Sequence, residues 1–296
     1  MKPLQRFGMM LLAASLSSLA QATEGGGSTY ASGGDNFLLG AVPPPGLYVL
    51  QFANFYSSTR SIDNNGNARP IPGFSVHGNV LATRIVWSTP YQLLGGNLVM
   101  HTILPIANLS VEAGGSSQTK TGIADVTFGP AIANHYSEHL HSVYGFDLVA
   151  PTGAYNKNDL TNIGRNYWSL QPLFAMSYTD KNGFNGDFKA TLNLNQTNSA
   201  TQYRSGTEFN LDYAAGYSVA RDWVAGVSGY WYRQVKDDSQ NGVTVANARG
   251  RAMAIGPSVK YDNGRGFILT AKVQREVAVR NRTEGTAIDF RASIPF

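Results

Sequence analysis

In the stretch 207-TEFNLDYAAGYSV-219, apolar and polar residues alternate strictly. One face carries Phe209, Leu211, Tyr213, Ala215, Tyr217 and Val219, and the other carries Glu208, Asn210, Asp212, Ala214, Gly216 and Ser218. A period of two is the signature of a β-strand with one face in an apolar environment. The stretch is about twice as long as the five or six residues typical of strands in soluble domains.

The same alternation recurs along the chain, clearly over 187–197 and 267–277, and it predicts about twelve strands. They lie near 47–57, 74–88, 97–108, 123–136, 142–151, 166–178, 185–197, 207–219, 223–235, 250–261, 267–279 and 287–296. Long polar links are expected at 58–73, 109–122, 152–165, 198–206 and 236–249, and short turns at 137–141, 179–184, 220–222 and 262–266. Long loops on one side and tight turns on the other are typical of outer-membrane barrels. We therefore predict an all-β fold, a transmembrane antiparallel up-and-down β-barrel over 47–296.

A soluble β-sandwich or a secreted barrel such as a lipocalin would also alternate. Strand length favours the membrane, as do aromatic residues near the strand ends, where membrane proteins carry interfacial girdles. These aromatics are Trp87, Tyr144, Trp168, Tyr178, Trp223, Trp231 and Tyr261. The last strand ends in Phe296 and is similar to the signal by which Gram-negative outer-membrane proteins are recognised, so we expect it to contact the barrel-assembly machinery.

Composition and the first residues indicate an exported protein. Residues 1–22 are predicted to be a signal peptide, with Lys2 and Arg6 before an apolar stretch and a small-x-small cleavage site ending at Ala22. No later apolar run approaches the about twenty residues of a membrane helix. The absence of cysteine excludes a disulfide scaffold, and the near-balanced charge of the mature chain gives no argument for nucleic-acid binding.

The polar strand faces are expected to fill the lumen with both signs of charge. The basic residues are Arg84, Lys189, Lys260, Lys272 and Arg291, and the acidic ones are Asp147, Asp187, Glu208, Asp212, Glu276 and Asp289. A mixed lumen favours internal ion pairs over a filter for ions of one sign.

A Gly/Pro-rich segment, residues 23–46, precedes the first strand. It contains the apolar island Phe37, Leu38 and Leu39, followed by three consecutive prolines. Such a segment is either an ordered plug inside the lumen or a disordered periplasmic tail. The apolar island favours the plug, and we place it on the solute pathway.

Three prolines, Pro130, Pro172 and Pro257, lie inside predicted strands on the lipid-facing side. Proline donates no hydrogen bond, so each should leave a gap in backbone pairing. The gap is either a bulge that helps the barrel to curve or a lateral opening toward lipid.

Enzymatic and metal-binding alternatives have weak support. His135, Ser137, Glu138, His139 and His141 cluster in sequence, but their spacing matches no zinc pattern, and a His135–Ser137 pair arises easily by chance. Asp125 is the nearest orienting group. The chain has no phosphate-binding loop and no Gly-x-Ser-x-Gly elbow. We predict no catalytic residue, no metal and no cofactor.

A family resemblance rests on several blocks spread over the mature chain. They are 23-TEGGGS-28 with Tyr30, 43-PPPG-46 with Tyr48, Gly122 with Asp125 and Pro130, 150-APTG-153 with Tyr155, and 162-NIG-164 with Asn166, Trp168 and Pro172. The chain resembles the exported family labelled as the meta-pathway of phenol degradation.

The resemblance implies a protein of the Gram-negative outer membrane that takes up small hydrophobic, aromatic compounds passively, with membrane lipid and solute as partners. The alternatives are a structural or adhesive barrel without a transport task and, less favoured, a lipid-modifying enzyme.

Overall fold

The computed structural model describes residues 23–295, which form a β-barrel. The predicted signal peptide and Phe296 lie outside the described residues. Twelve long strands build the wall: β1 (Gly46–Ser61), β2 (Ser75–Leu93), β3 (Gly96–Ala113), β5 (Val126–His135), β6 (Leu140–Ala150), β7 (Ser169–Tyr178), β8 (Phe184–Asn195), β10 (Glu208–Ala220), β11 (Trp223–Gln234), β14 (Arg251–Asp262), β15 (Ile268–Arg280) and β16 (Thr283–Pro295). Shorter elements are the 3-10 helix Glu24–Gly26 and the strands β4 (Ser116–Ile123), β9 (Tyr203–Arg204), β12 (Ser239–Gln240) and β13 (Val243–Thr244).

The long strands form a closed ring in which every neighbouring pair is antiparallel. Strands adjacent in sequence pair with one another, and the ring closes between β1 and β16, where Tyr48 lies opposite Pro295. Closure gives each backbone N–H and C=O of the wall a potential partner, which hydrocarbon cannot supply. The predicted fold of twelve antiparallel strands is confirmed.

The two ends of the barrel differ in their connections. Tight turns close one end, such as Leu94-Gly95 between β2 and β3 and Arg221-Asp222 between β10 and β11. Longer links lie at the other end, except for the two-residue turn Asn281-Arg282 between β15 and β16, and there β9, β12 and β13 form a small separate sheet. We call these the tight-turn end and the long-loop end.

The predicted loop at 109–122 is wrong. Strand β3 continues to Ala113 and forms a hairpin with β4, paired from Ala113↔Ser116 to Ile106↔Ile123, while β2 pairs along its other side as far as Ser75↔Glu112. The connecting turn is only Gly114-Gly115, both with positive φ. Likewise β2 extends to Leu93 rather than ending at residue 88. Residues 114–122 are all glycine or polar, which hid β4, because alternation reports a strand only where one face meets lipid or core. The continuation of β3 over Leu109, Val111 and Ala113 does alternate and was missed.

Alternation places apolar side chains outside and polar side chains inside. On β10, Glu208, Asn210 and Asp212 are fully buried, whereas Tyr217 is exposed on the outer face. Exposed apolar side chains recur on the outside of the other strands and include all four tryptophans. An outward apolar belt around a closed ring is the arrangement of outer-membrane barrels, and it agrees with the predicted location in a Gram-negative outer membrane. Among residues 23–295, no helix is long and apolar enough to cross a membrane.

Each of the three strand prolines faces outward and lies beside a gap in the ladder. The pairing of β5 with β6 stops at Phe128↔Leu148 and resumes at Ala131↔Gly145, which leaves Pro130 unpaired on that side. Pro172 lies in an equivalent gap between β7 and β8, and Pro257 in one between β14 and β15. The register is the same on both sides of each gap.

Glycines bring the backbones close together at two of these gaps. A Cβ on Gly129 would lie 2.0 Å from the carbonyl oxygen of Phe146, and one on Gly256 would lie 1.7 Å from that of Val273. Here the adjacent strands touch although the regular hydrogen bonds are missing. The gap at Pro172 has no such glycine beside it.

Gly129→Ala should destabilise the barrel, because the added methyl group collides with the backbone of β6. Overpacking of this kind costs about 1–3 kcal/mol. We expect the mutant to lose its heat-resistant fast migration on a denaturing gel at a lower temperature than the wild-type protein. Gly78→Ala is the matched control, since its Cβ would lie 3.7 Å from a Leu109 methyl group. Equal transition temperatures for the two mutants would contradict the close approach at Pro130.

Candidate functional site: the barrel lumen

The N-terminal segment, defined here as residues 23–45, runs along the inside of the barrel. At the long-loop end, the backbone N–H of Thr23 donates to Asp238 Oδ2 (3.2 Å), and Glu24 Oε2 accepts from Asn198 Nδ2 (2.7 Å). Near the tight-turn end, the N–H of Gly40 donates to Ser177 Oγ (2.7 Å). The segment therefore extends along the lumen before the three prolines lead into β1.

Asp238 anchors the beginning of the segment. Besides the Thr23 N–H, its carboxylate accepts the N–H of Gly206 (2.6 Å) and bonds from Tyr203 and Gln234. Burial raises the pKa of the Asp238 carboxyl, although these hydrogen bonds oppose the rise. One loop carboxylate thus links the segment to the small sheet at the long-loop end.

Strand β10 supplies most partners for the next part of the segment. Ser28 Oγ donates to Glu208 Oε2 (2.6 Å), and Ser32 contacts Asn210 through their side-chain oxygens (2.6 Å). Asp212 accepts from the Tyr30 hydroxyl and from the Gly33 N–H (2.8 Å). The polar face of the strand that identified the fold is therefore a continuous set of hydrogen-bond partners for the segment.

Basic residues from three strands converge on Asp35 and Phe37. Lys189 Nζ lies 2.8 Å from Asp35 Oδ2, and Lys272 Nζ donates to the Asp35 carbonyl (2.6 Å). Arg291 donates to the Phe37 carbonyl (2.7 Å). These contacts hold the middle of the segment against β8, β15 and β16. A buried charge is tolerated only when it is paired and hydrogen-bonded in this way.

The apolar island continues this packing toward the tight-turn end. Phe37 is completely buried against Ala214 and Val224, with Leu38 beside them. Leu39 and Val42 pack on a second apolar cluster inside the barrel, formed by Val86, Val99, Ala131, Ala133, Val143 and Ala175. The lumen is thus charged in its middle and partly apolar near the tight turns.

Two glycines allow the segment to approach the wall. Gly33 has a φ of +72°, and a Cβ there would lie 2.6 Å from the side chains of Tyr230 and Gln274. A Cβ on Gly40 would lie 2.7 Å from the backbone of Met176. Any larger residue would displace the segment from the wall at these points.

A cavity of about 280 Å³ remains between the segment and strands on the other side of the lumen. Its apolar side is formed mainly by Phe52, Val80, Ala82, Ile103 and Pro105, and its polar side includes Tyr30, Asp35, Arg84, Asp147 and Lys189. Arg84 Nε is buried there and has no hydrogen-bond partner among the described residues. The cavity offers an apolar surface facing a charged one.

All the strand residues that we assigned to the solute pathway face the lumen, but they do not form one cluster. The cavity is bordered by Arg84, Asp147 and Lys189. The N-terminal segment is contacted by Glu208, Asp212, Lys272 and Arg291, and it contains Phe37, Leu38 and Leu39. The sequence interpretation missed two lumenal residues, Asp35 and His101. The Nε2 atom of His101 lies 2.7 Å from Asp147 Oδ1. His101 could have been found by extending the parity of β3. Asp35 lies in a stretch without periodicity.

The histidine cluster does not form the considered sites. His135 and His141 face each other across β5 and β6, with their Nδ1 atoms 2.8 Å apart, whereas His139 Nδ1 contacts the Thr179 carbonyl. Ser137 Oγ accepts from the N–H groups of His139 (3.2 Å) and Leu140 (3.0 Å) in the turn. Within residues 23–295, no group of three or more His, Cys, Asp or Glu residues has the geometry to hold a metal ion.

Residues from separate blocks of the resemblance meet at one place. Asp125 accepts from the N–H groups of Gly153 (2.9 Å) and Arg165 (2.7 Å), which fastens the 151–168 link to the β4–β5 junction. Gly153 and Gly164 touch through their backbones, where a Cβ would collide. Asp125, Gly153 and Gly164 therefore share one structural task, which is to shape the 151–168 loop.

The family model described as "Putative MetA-pathway of phenol degradation" matches residues 58–292. The chain belongs to this family. The assignment confirms the resemblance seen in the sequence. No curated protein matches the sequence.

A solved structure shows the same fold. An outer-membrane channel from Pseudomonas putida F1 is similar with a TM-score of 0.76 and 17% identity, covering 88% of this chain and 98% of that one. Similarity to a mutant of the TodX monoaromatic hydrocarbon channel is lower, with a TM-score of 0.46 and 8% identity over 86% of this chain and 91% of that one. The first similarity supports the barrel architecture of this family member.

Proposed function

We propose that the protein is an outer-membrane channel for the passive uptake of small hydrophobic, aromatic compounds. The observation that carries this proposal is the lumenal cavity with one apolar side. A cavity of about 150 Å³ lined by apolar side chains takes a benzene molecule in another protein, so about 280 Å³ offers room for a single substituted ring. The family name and the similar channel fold agree with this role.

The charged side of the cavity favours compounds that carry a polar substituent. A ring could lie on Phe52 and Ile103 while its substituent faces Arg84, whose Nε lacks a partner within the described structure. Buried polar groups that lack a partner gain from a ligand that supplies one. Solute would enter between the long loops, pass this cavity and leave toward the tight-turn end.

The N-terminal segment is, in this proposal, the gate of the channel. It is held by side-chain hydrogen bonds and one buried ion pair rather than by strand pairing, so it can leave the lumen without opening the wall. Its departure would remove Phe37 and Leu39 from the apolar end of the lumen. The resting state is then closed, and solute or another signal must displace the segment.

The segment also covers the inner side of the ladder gap at Pro172. Gln171 Nε2 donates to Thr29 Oγ1 (3.2 Å), and Asn193 Nδ2 donates to Ser28 Oγ (3.0 Å) on the lumenal side of this gap. The gaps at Pro130 and Pro257 are narrowed by close backbone contact, so Pro172 is the favoured position for a lateral exit into lipid. Release to the periplasm remains the direct route along the axis.

Deleting residues 24–42 should raise the single-channel conductance in a planar bilayer, because the deletion empties the lumen and leaves the wall intact. The control is a shortened β3–β4 hairpin that lacks residues 112–117, which lie outside the lumen. This control should conduct as the wild-type protein does. If deleting residues 24–42 left the conductance unchanged, the segment would not obstruct the lumen and would instead be a periplasmic tail.

A strain that lacks the gene should grow more slowly than its parent on low concentrations of aromatic compounds and normally on sugars. If the deletion strain grows normally on every hydrophobic compound but shows altered detergent sensitivity, the structural alternative is favoured.

If solute leaves laterally, Pro172→Ala should reduce uptake several-fold by restoring a ladder hydrogen bond, whereas the matched change Pro130→Ala should not. Normal uptake by Pro172→Ala would exclude the lateral exit but not the channel.

A further inference from the structure

Three arginines form a row on the outside of the barrel near the long-loop end. Arg233 on β11 lies directly opposite Arg251 on β14, which lies opposite Arg280 on β15. Directly opposite residues share a face, and neighbouring strands are about 5 Å apart. Arg233 and Arg251 are exposed on the same face as Trp231 and Met253. We call this set the arginine row.

The row has no ion-pair partner in the described part of the chain. Nearby arginines do: Arg249 pairs with Asp237 (2.7 Å), and Arg60 and Arg275 share Glu284 (2.6 and 3.4 Å). In contrast, Arg280 Nε is buried and has no hydrogen-bond partner. Like charges directly opposite each other on adjacent strands are destabilising. Three such residues in succession therefore indicate a site for an external anion.

An apolar groove adjoins one end of the row. It has a volume of about 340 Å³ and is lined by Phe209, Trp231, Arg233, Val235 and Arg249. The rings of Phe209 and Trp231 pack edge to face with their centroids 5.6 Å apart. On the side of the groove toward the tight-turn end, Val227 and Ile255 continue the apolar belt. The apolar surface lies toward the tight-turn end and the cations lie toward the long-loop end. This arrangement matches an amphiphile with an anionic head group.

We propose that the arginine row binds the phosphate groups of lipopolysaccharide in the outer leaflet, with its acyl chains along the groove and belt. Arginine forms bidentate charge-assisted hydrogen bonds with phosphate. In barrels of this layout the tight turns face the periplasm, so the long-loop end meets the outer leaflet. The row lies at the upper border of the apolar belt, at the depth of lipid head groups.

The test measures lipid binding by the purified full-length protein in detergent. The probes are bisphosphorylated lipid A, the same lipid without phosphates, phosphatidylglycerol and inorganic phosphate. The triple variant Arg233→Gln, Arg251→Gln, Arg280→Gln should bind bisphosphorylated lipid A at least about tenfold more weakly than wild type, since each charged contact contributes more than a neutral one. Arg221→Gln is the control, a 95% exposed arginine at the tight-turn end, and it should bind as wild type.

The dephosphorylated lipid should bind weakly and equally to all variants. Equal binding of bisphosphorylated lipid A by wild type and the triple variant would overturn the proposal, as would equal wild-type binding of the lipid with and without phosphates. Preferential binding of phosphatidylglycerol or of free phosphate would overturn the assignment to lipopolysaccharide. In lipid-free detergent, the triple variant should keep its heat-modifiable migration, because it loses only opposed cations. The charge-retaining variant Arg251→Lys should bind lipid A with intermediate affinity and serves where the triple variant fails to fold.

Discussion

Backbone groups pair across a closed sheet, and this pairing governs how the whole barrel is built. A strand in hydrocarbon must give every N–H and C=O a partner, and only a ring without edges does this for strands. Closure fixes the remaining chemistry. One face of each strand must be apolar and meet lipid, so the other faces converge on a lumen rich in carboxylates, amides and basic groups.

Such a lumen creates a second requirement, because buried polar groups are costly without partners. Strand neighbours satisfy some of them, as Asp289 does with Asn54 and Gln274. The N-terminal segment satisfies others through its hydroxyls, backbone N–H groups and Asp35. Its glycines Gly33 and Gly40 let the backbone come close enough for their N–H groups to donate to wall side chains. A composition that suggests a linker thus suits a chain packed inside a polar tube.

The sequence predicted the structure well only where lipid on one side of a strand imposes an apolar face. Where one face meets lipid, alternation was reliable, and the parity of Glu208, Asp212, Lys272 and Arg291 placed all of them correctly inside. It failed for the β3–β4 hairpin, because residues 114–122 are all glycine or polar and show no apolar face. Alternation also could not predict the path of residues 23–45, since a segment held by hydrogen bonds to side chains has no regular spacing of apolar residues. The arginine row could not be recognised either, because it depends on the register between strands.

In the structure, the N-terminal segment lies in the lumen against β10. The most direct measurement is cross-linking of the pair Ser32→Cys and Asn210→Cys by a short bismethanethiosulfonate reagent, since the native side chains are in contact with their oxygens 2.6 Å apart. The chain has no cysteine of its own, so a shift in gel mobility that is reversed by reduction reports this contact alone. We predict rapid, nearly complete cross-linking in native outer membranes, and none for Ser32→Cys with Thr119→Cys on the distant hairpin. Absence of the Ser32–Asn210 cross-link in folded barrels, or equal cross-linking of both pairs, would contradict the account.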